Sequence, residues 1–268
     1  MGKNLVYTIA LDRPGETGHR NLAKMLVSSL LRTRFSGDIV VFHATPYPLF
    51  MVARAGLQEV EVKLPRKLPR GGGFVALAQS FKHEVAARID TTPYDKVMFI
   101  DSDSVVLRNI DHLLEGAWDL AVYGEEKTSI LDYVHAFLRD GERERLVGQG
   151  YNSGTFAVRA SLFRELLRSW QTVENGPPQA RVGLREQQAF NRVVLDWTGE
   201  IKEWSPRDIA LPFCIREHAP HAVYCRAAIV HAASGDHSVD DKLRFLFGLF
   251  SSVFLFDTQL SLFNLMEM

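Results

Sequence analysis

Four short segments in the first half of the chain, Leu5–Ile9, Ile39–Phe42, Val97–Ile100 and Leu120–Tyr123, are rich in Val, Ile and aromatic residues and continuous rather than alternating. A strand with one wet face alternates polar and apolar residues. A continuous run therefore asks for cover on both faces, the condition of a parallel sheet between helices. The intervening segments supply helical patterns. Asn21–Arg32 places Leu22, Met25, Leu26, Ser29 and Leu30 at helical spacing, and Phe74–Ile89 repeats Leu77, Phe81, Val85 and Ile89 every four residues. Strand, helix, strand in succession predicts an α/β fold with right-handed crossovers.

The second half is less regular. Thr155–Val158 reads as a strand, and Ser161 is placed to cap a helix running through Trp170. Glu174-Asn-Gly-Pro-Pro178 breaks the chain, a helical pattern resumes over Leu184–Trp197, and Leu211-Pro-Phe213 opens an irregular segment. Ser238-Val-Asp-Asp241 resembles a capping box and leads into a densely apolar stretch, Leu243–Phe256. Residues 1–240 are thus expected to form one domain and 241–268 an apolar C-terminal helical tail. The apolar stretch falls short of the about 20 residues that span a bilayer. Being apolar on nearly every face, it needs cover. The protein's own core or a homodimer would provide it. Peripheral docking on a membrane is the alternative, although Lys242 and Arg244 alone make a poor basic face.

At 268 residues the chain is long enough for a substantial core. A formal net charge of −1 offers none of the basic field that a general nucleic-acid binder needs, so no nucleic-acid partner is expected. Two cysteines, Cys214 and Cys225, are too few for a disulfide framework, and the first apolar run is too short for a signal sequence, so a cytoplasmic setting is expected. Cys214, His218, His221 and Cys225 can be drawn as a zinc site, but their spacing is not a familiar one. Leu64–Gly73, with two prolines, three glycines and three basic residues, is a loop: a surface connection, or a basic flap over an anionic ligand. No glycine-rich phosphate or dinucleotide motif occurs.

The strongest chemical signal is Val97-Met-Phe-Ile-Asp101-Ser-Asp103. Residues i and i+2 of an extended segment point the same way, so a buried strand here ends in two carboxylates aimed at one place. The carboxyl edge is where open α/β sheets bind ligands, and paired carboxylates suit a hard divalent cation that keeps positions for phosphate oxygens.

In that setting Asp101-Ser102-Asp103 resembles the Asp-x-Asp motif of GT-A glycosyltransferases, in particular the retaining family that includes glycogenin and bacterial lipopolysaccharide galactosyltransferases. The similarity runs over roughly residues 5–235. Tyr7-Thr-Ile-Ala-Leu-Asp12 resembles the family's first strand and Val27-Ser-Ser-Leu30 its first helix. Ser80-Phe-Lys82 precedes the Asp-x-Asp strand. Tyr151-Asn-Ser-Gly-Thr-Phe-Ala-Val158 resembles the Asn-Ser-Gly strand, Glu186-Gln187-Gln-Ala-Phe-Asn191 the Asp-Gln-x-x-x-Asn helix, and Ile229-Val-His231 the strand with the last metal ligand.

The resemblance implies a GT-A (Rossmann-like nucleotide-diphospho-sugar transferase) fold with a mixed central sheet. It also implies a Mn2+ or Mg2+ site of Asp101, Asp103 and His231. Donor contacts would come from Thr8, Ile9, Ala10, Asp12, Lys82, Asp101, Ser102, Asp103 and Gly235, and catalytic roles from Asn152, Glu186 and Gln187; His237 either takes over a phosphate contact or sits in a loop. The substrate would be a UDP-sugar, transferred with retention to a glycan, lipid-linked, protein or small-molecule acceptor. An imidazole beside carboxylates favours manganese over magnesium.

Taken singly, each of these residues has a plainer reading. His231 is then a satisfied core histidine, Lys82 a solvated helix face, Asn152-Ser-Gly a turn, and Glu186 and Gln187 an exposed helix start. The chain also departs from the pattern. The Lys-Pro-Trp triplet after the histidine is replaced by His231-Ala-Ala-Ser-Gly235-Asp-His237, Glu186 stands in place of Asp, and Arg13–Arg20 holds no counterpart of the aromatic that stacks on uracil. A sugar-nucleotide nucleotidyltransferase and a catalytically silent nucleotide-sugar-binding scaffold are the competing readings.

Overall fold

A computed structural model of the chain describes residues 2–13, 15–51, 54–64, 81–84, 86–176, 185–212, 224–233 and 237–254. Within them lie strands β1 (Lys3–Ala10), β2 (Asp38–His43), β3 (Leu57–Glu61), β4 (Tyr94–Ile100), β5 (Ser104–Val106), β6 (Leu120–Ser129), β7 (Gln149–Arg159), β8 (Ile201–Trp204), β9 (Ile209–Ala210) and β10 (Ile229–His231). The helices are α1 (Gly18–Arg32), α2 (Ile130–Val134), α3 (Phe163–Asn175), α4 (Arg185–Asp196) and α5 (Val239–Phe254), and residues 81–84 are also helical.

Seven strands form one sheet in the order β3-β2-β1-β4-β7-β6-β8, and β5-β10-β9 form a small second sheet. The first four are mutually parallel; β7 is antiparallel to both β4 and β6, and β8 runs parallel to β6. The central sheet is therefore mixed, as expected. From β1 the chain steps outward to β2 on one side and later returns to β4 on the other. That reversal opens a crevice at the carboxyl ends of β1 and β4.

The continuous apolar runs are explained by what covers them. Val97 and Phe99 of β4 face one cluster with Tyr7, Phe156, Phe163, Trp170 and Phe190, while Met98 and Ile100 face another with Val6, Leu26, Trp118 and Ile229. In the first cluster the rings of Tyr7, Phe99, Phe156, Phe190 and Trp170 follow one another at centroid separations of 4.8 to 5.5 Å, within the range of favourable aromatic contact.

A third cluster covers one face of the apolar stretch after Ser238, while Phe247 is exposed. Leu246, Leu249 and Phe250 of α5 are buried against Leu22 and Met25 of α1 and against Val105 and Val230 of the small sheet. The two helices lie side by side along their length. At one end a Cβ on Gly18 would fall 2.4 Å from Val239, and at the other the Arg32 guanidinium sits 5.6 Å above the Phe250 ring. The capping box forms: the Ser238 hydroxyl accepts from the Asp241 N–H at 3.1 Å, and the Asp241 carboxylate accepts from the Ser238 N–H at 3.3 Å.

Ser161 does not cap a helix. It lies exposed in a 3-10 turn, Ala160–Leu162, and α3 begins at the buried Phe163 with Leu162 as its capping residue and no side-chain cap. Among the described residues no helix is long and apolar enough to cross a membrane. The Pro/Gly-rich loop beyond Leu64, Leu77, Ser80, Val85, Cys214, His218, His221, Gly235 and residues 255–268 lie outside the described residues.

Candidate metal and donor site

The Asp-x-Asp segment leaves β4 at the crevice and turns straight into β5. Two backbone hydrogen bonds hold it there. The Asp101 N–H donates to the Gly154 carbonyl and the Ala232 N–H donates to the Asp103 carbonyl, both at 2.8 Å. Because β10 pairs with β5 so that His231 lies opposite Ser104, the imidazole arrives beside the carboxylates. His231 Nε2 stands 3.1 Å from Asp103 Oδ1 and 3.7 Å from Asp101 Oδ2. One ligand atom from each of the three residues lies within 4.8 Å of the others. His231 is buried, with no partner on Nδ1.

Each carboxylate also carries a lysine. Lys82 Nζ is 3.1 Å from Asp101 Oδ2 and 3.6 Å from Glu186 Oε1, and sits 5.2 Å above the Phe99 ring. Lys242 Nζ, reaching in from the first turns of α5, is 2.7 Å from Asp103 Oδ2. Burial works against the charge on Asp103, yet His231 and Lys242 together hold its carboxyl far below the usual range. Burial likewise opposes the charge on Lys82, and Asp101 and Glu186 more than compensate, so its pKa is raised.

Gly154 makes the close approach of strands and ligands feasible. A Cβ there would lie 2.1 Å from His231 Cε1, 2.5 Å from Asp101 Oδ2 and 2.9 Å from Asn152 Oδ1. Asn152 is fixed from both ends: its Oδ1 accepts from the Gly154 N–H at 2.8 Å and its Nδ2 donates to Glu125 Oε1 at 2.8 Å. Glu125 is itself buried and accepts from the Tyr133 and Thr128 hydroxyls.

The Ser153 hydroxyl lies within hydrogen-bond distance of both Glu186 Oε2, at 3.2 Å, and Gln187 Oε1, at 3.3 Å. Glu186 and Gln187 are therefore buried, not an exposed helix start. The Glu186 carbonyl accepts from Trp170 Nε1 at 3.0 Å, and Asn191 exchanges hydrogen bonds with the Tyr151 backbone at 2.7 and 2.8 Å. These bonds moor α4 to β7. Burial pushes the Glu186 carboxyl up to about 7; Lys82 pulls it down and Asp101 pushes it up again. The short ion pair of Lys82 is thus with Asp101, and Glu186 is its weaker partner.

The remaining expected donor residues are placed less uniformly. Thr8, Ile9 and Ala10 end β1 at the crevice, where Thr8 is buried with an unpartnered hydroxyl. The Asp12 carboxylate accepts from the His19 and Arg20 N–H groups at 2.7 and 3.1 Å and pairs with the Arg20 guanidinium, so it holds the start of α1. Ser102 is buried between the two aspartates, and His237 is exposed just before α5. Lys242 and Glu125 escaped sequence reasoning.

A mixed sheet in this order, with a carboxylate pair leaving the fourth strand at the crevice, defines the GT-A class of nucleotide-diphospho-sugar transferase folds. A crystal structure of the galactosyltransferase LgtC in complex with donor and acceptor sugar analogues is similar to the chain with a TM-score of 0.58 at 13% identity, covering 98% of this chain and 99% of that one. The structure of an active-site mutant of LgtC is similar with a TM-score of 0.60 at 13% identity, covering 94% and 96%. The chain has that fold over nearly its whole length. No protein-family model and no curated protein matches it in sequence.

Proposed function

We propose that the chain is a metal-dependent glycosyltransferase that moves a sugar from a UDP-sugar to a hydroxyl acceptor with retention of anomeric configuration. One observation carries the reading: Asp101, Asp103 and His231 converge at the carboxyl edge of a GT-A sheet. Two carboxylate oxygens and an imidazole nitrogen, packed so closely that Gly154 has no room for a Cβ, fit a divalent cation. The imidazole nitrogen beside the carboxylates favours manganese over magnesium. Bound there, the cation would act as a Lewis acid toward the diphosphate leaving group.

The chain's own residues perform the rest. Lys82 contributes a fixed positive charge beside Asp101, where negative charge gathers as the sugar C1–O bond to the diphosphate breaks. Asn152, Glu186 and Gln187 line the approach to the sugar and are held rigid by Glu125, Ser153 and Trp170, so their hydrogen-bonding groups are preorganised. In a same-face transfer the acceptor oxygen forms the new bond to C1. Its proton passes to the departing phosphate oxygen, which accounts for retention without a covalent enzyme intermediate. Thr8, Ile9, Ala10 and Asp12 lie at the β1 end, where the nucleoside would sit.

Incubation with a panel of UDP-sugars and Mn2+, reading UDP release, tests the proposal. The expected outcome is release that EDTA stops and that D103A or H231A lowers by at least about 100-fold. Release that survives both substitutions would refute the metal assignment.

A further inference from the structure

Lys242 lies in a helix that sequence reading treats as a packing appendage, and the packing of α5 does not account for it. A cation within the first turns of a helix stands near the positive end of the helix dipole, where lysine is least welcome. The flanking residues Asp240 and Asp241 complement that dipole, as expected for a helix start. Lys242 instead turns inward, mostly buried, with its ammonium 2.7 Å from Asp103 Oδ2.

Asp101 and Asp103 each already have an ammonium beside them, Lys82, which also faces Glu186, and Lys242. On Asp103, Lys242 holds Oδ2 while Oδ1 faces His231. A divalent cation taking that carboxylate is repelled by the ammonium 2.7 Å from it and competes with it, and an ammonium displaced into a largely buried site needs another anion. A nucleoside diphosphate brings two or three negative charges to the same place. We propose, building on the transferase reading above, that Lys242 is a transferable counter-ion. It holds Asp103 in the free protein and passes to the diphosphate when metal and nucleotide arrive, so the two ligands bind as a coupled pair. The C-terminal helix thereby belongs to the donor site. Lys82 is less free to move, since it is shared between Asp101 and Glu186 and lies over the Phe99 ring.

Coupling of this kind is reciprocal and is measured on binding alone. Mn2+ affinity of the full chain is read by electron paramagnetic resonance with and without saturating UDP. UDP should tighten Mn2+ binding by about tenfold or more, within the usual span for coupled sites. In K242M, Mn2+ alone should bind several-fold tighter than in the unsubstituted protein, because its competitor for Asp103 is gone. The tightening by UDP should shrink to about twofold. K242R, which keeps the charge, should retain most of the coupling. R244M, an exposed position on the same helix, should change neither value.

A merely structural lysine gives a different result: loosening α5 would weaken Mn2+ binding in both conditions. K242M that binds Mn2+ more weakly, or that keeps the full UDP effect, overturns the inference and leaves the transferase reading standing. Failure of the unsubstituted chain to bind Mn2+ and UDP at all overturns both.

Discussion

Replacing Gly154 with alanine adds one methyl group where the site has no room for it. The added carbon would lie 2.1 Å from His231 Cε1 and 2.5 Å from Asp101 Oδ2. The first separation is about 1.4 Å short of ordinary carbon–carbon contact. Gly154 is not among the positive-φ glycines, so the effect is steric and not conformational. Relief requires two of the three proposed ligands to move apart, and the strand pairing of β4 with β7 leaves the backbone little freedom to absorb the shift. Overpacking costs about 1–3 kcal/mol. At about 2–4 °C per kcal/mol for a domain of this size, the melting temperature should fall by roughly 2–12 °C. Displacing ligands by about 1 Å costs far more in function, about 100-fold in transfer rate. Mn2+ affinity, by analogy with disturbed ligand support, should fall about 10- to 100-fold. Thermal unfolding with a Mn2+ titration separates the two effects. G176A is the control, because a Cβ there meets nothing nearer than 3.3 Å. A G154A protein that keeps unaltered Mn2+ affinity would refute the account of how His231 and Asp101 are packed together.

Two further outcomes follow from the packing and electrostatics. With its carboxyl raised to about 7 by burial, against an ordinary 4.5, Glu186 favours the folded protein in its protonated form. That contribution is fully present below about pH 4.5 and is lost as pH rises through about 7, amounting to about 3 kcal/mol. E186Q should flatten this part of the stability profile when urea unfolding is followed from pH 5 to 8 in EDTA, and parallel profiles for the two proteins would contradict it. L249A, at a fully buried position of α5, should cost about 2–5 kcal/mol in chemical denaturation. A change below about 0.5 kcal/mol would show that α5 is not part of the core.

The sheet core and the Asp-x-Asp segment were legible because their signals are local. A strand covered on both faces is continuously apolar, and two carboxylates two residues apart in extended chain face one way. The edge strands β3 and β8 were not, since Leu57-Gln-Glu-Val-Glu61 and Ile201-Lys-Glu-Trp204 are half polar, as sheet edges tend to be. Nothing near Lys242 in sequence announces its partner Asp103, which lies 139 residues away. Glu125 was missed for the same reason. It sits where β6 leaves the apolar run for Gly124-Glu-Glu-Lys-Thr-Ser129, and only tertiary structure brings Asn152 and Tyr133 to it. Ordered resemblance, not spacing, points to His231 in the sequence, and the pairing of β10 with β5 is what brings its imidazole beside Asp101 and Asp103.

Calorimetric titration of the full chain with UDP, in Mn2+ and again in EDTA, measures whether nucleotide binding depends on the metal. Saturable UDP binding in Mn2+ that EDTA weakens by at least about tenfold is expected. Binding of equal strength in EDTA, or no binding in Mn2+, would contradict a metal-dependent donor site at Asp101, Asp103 and His231.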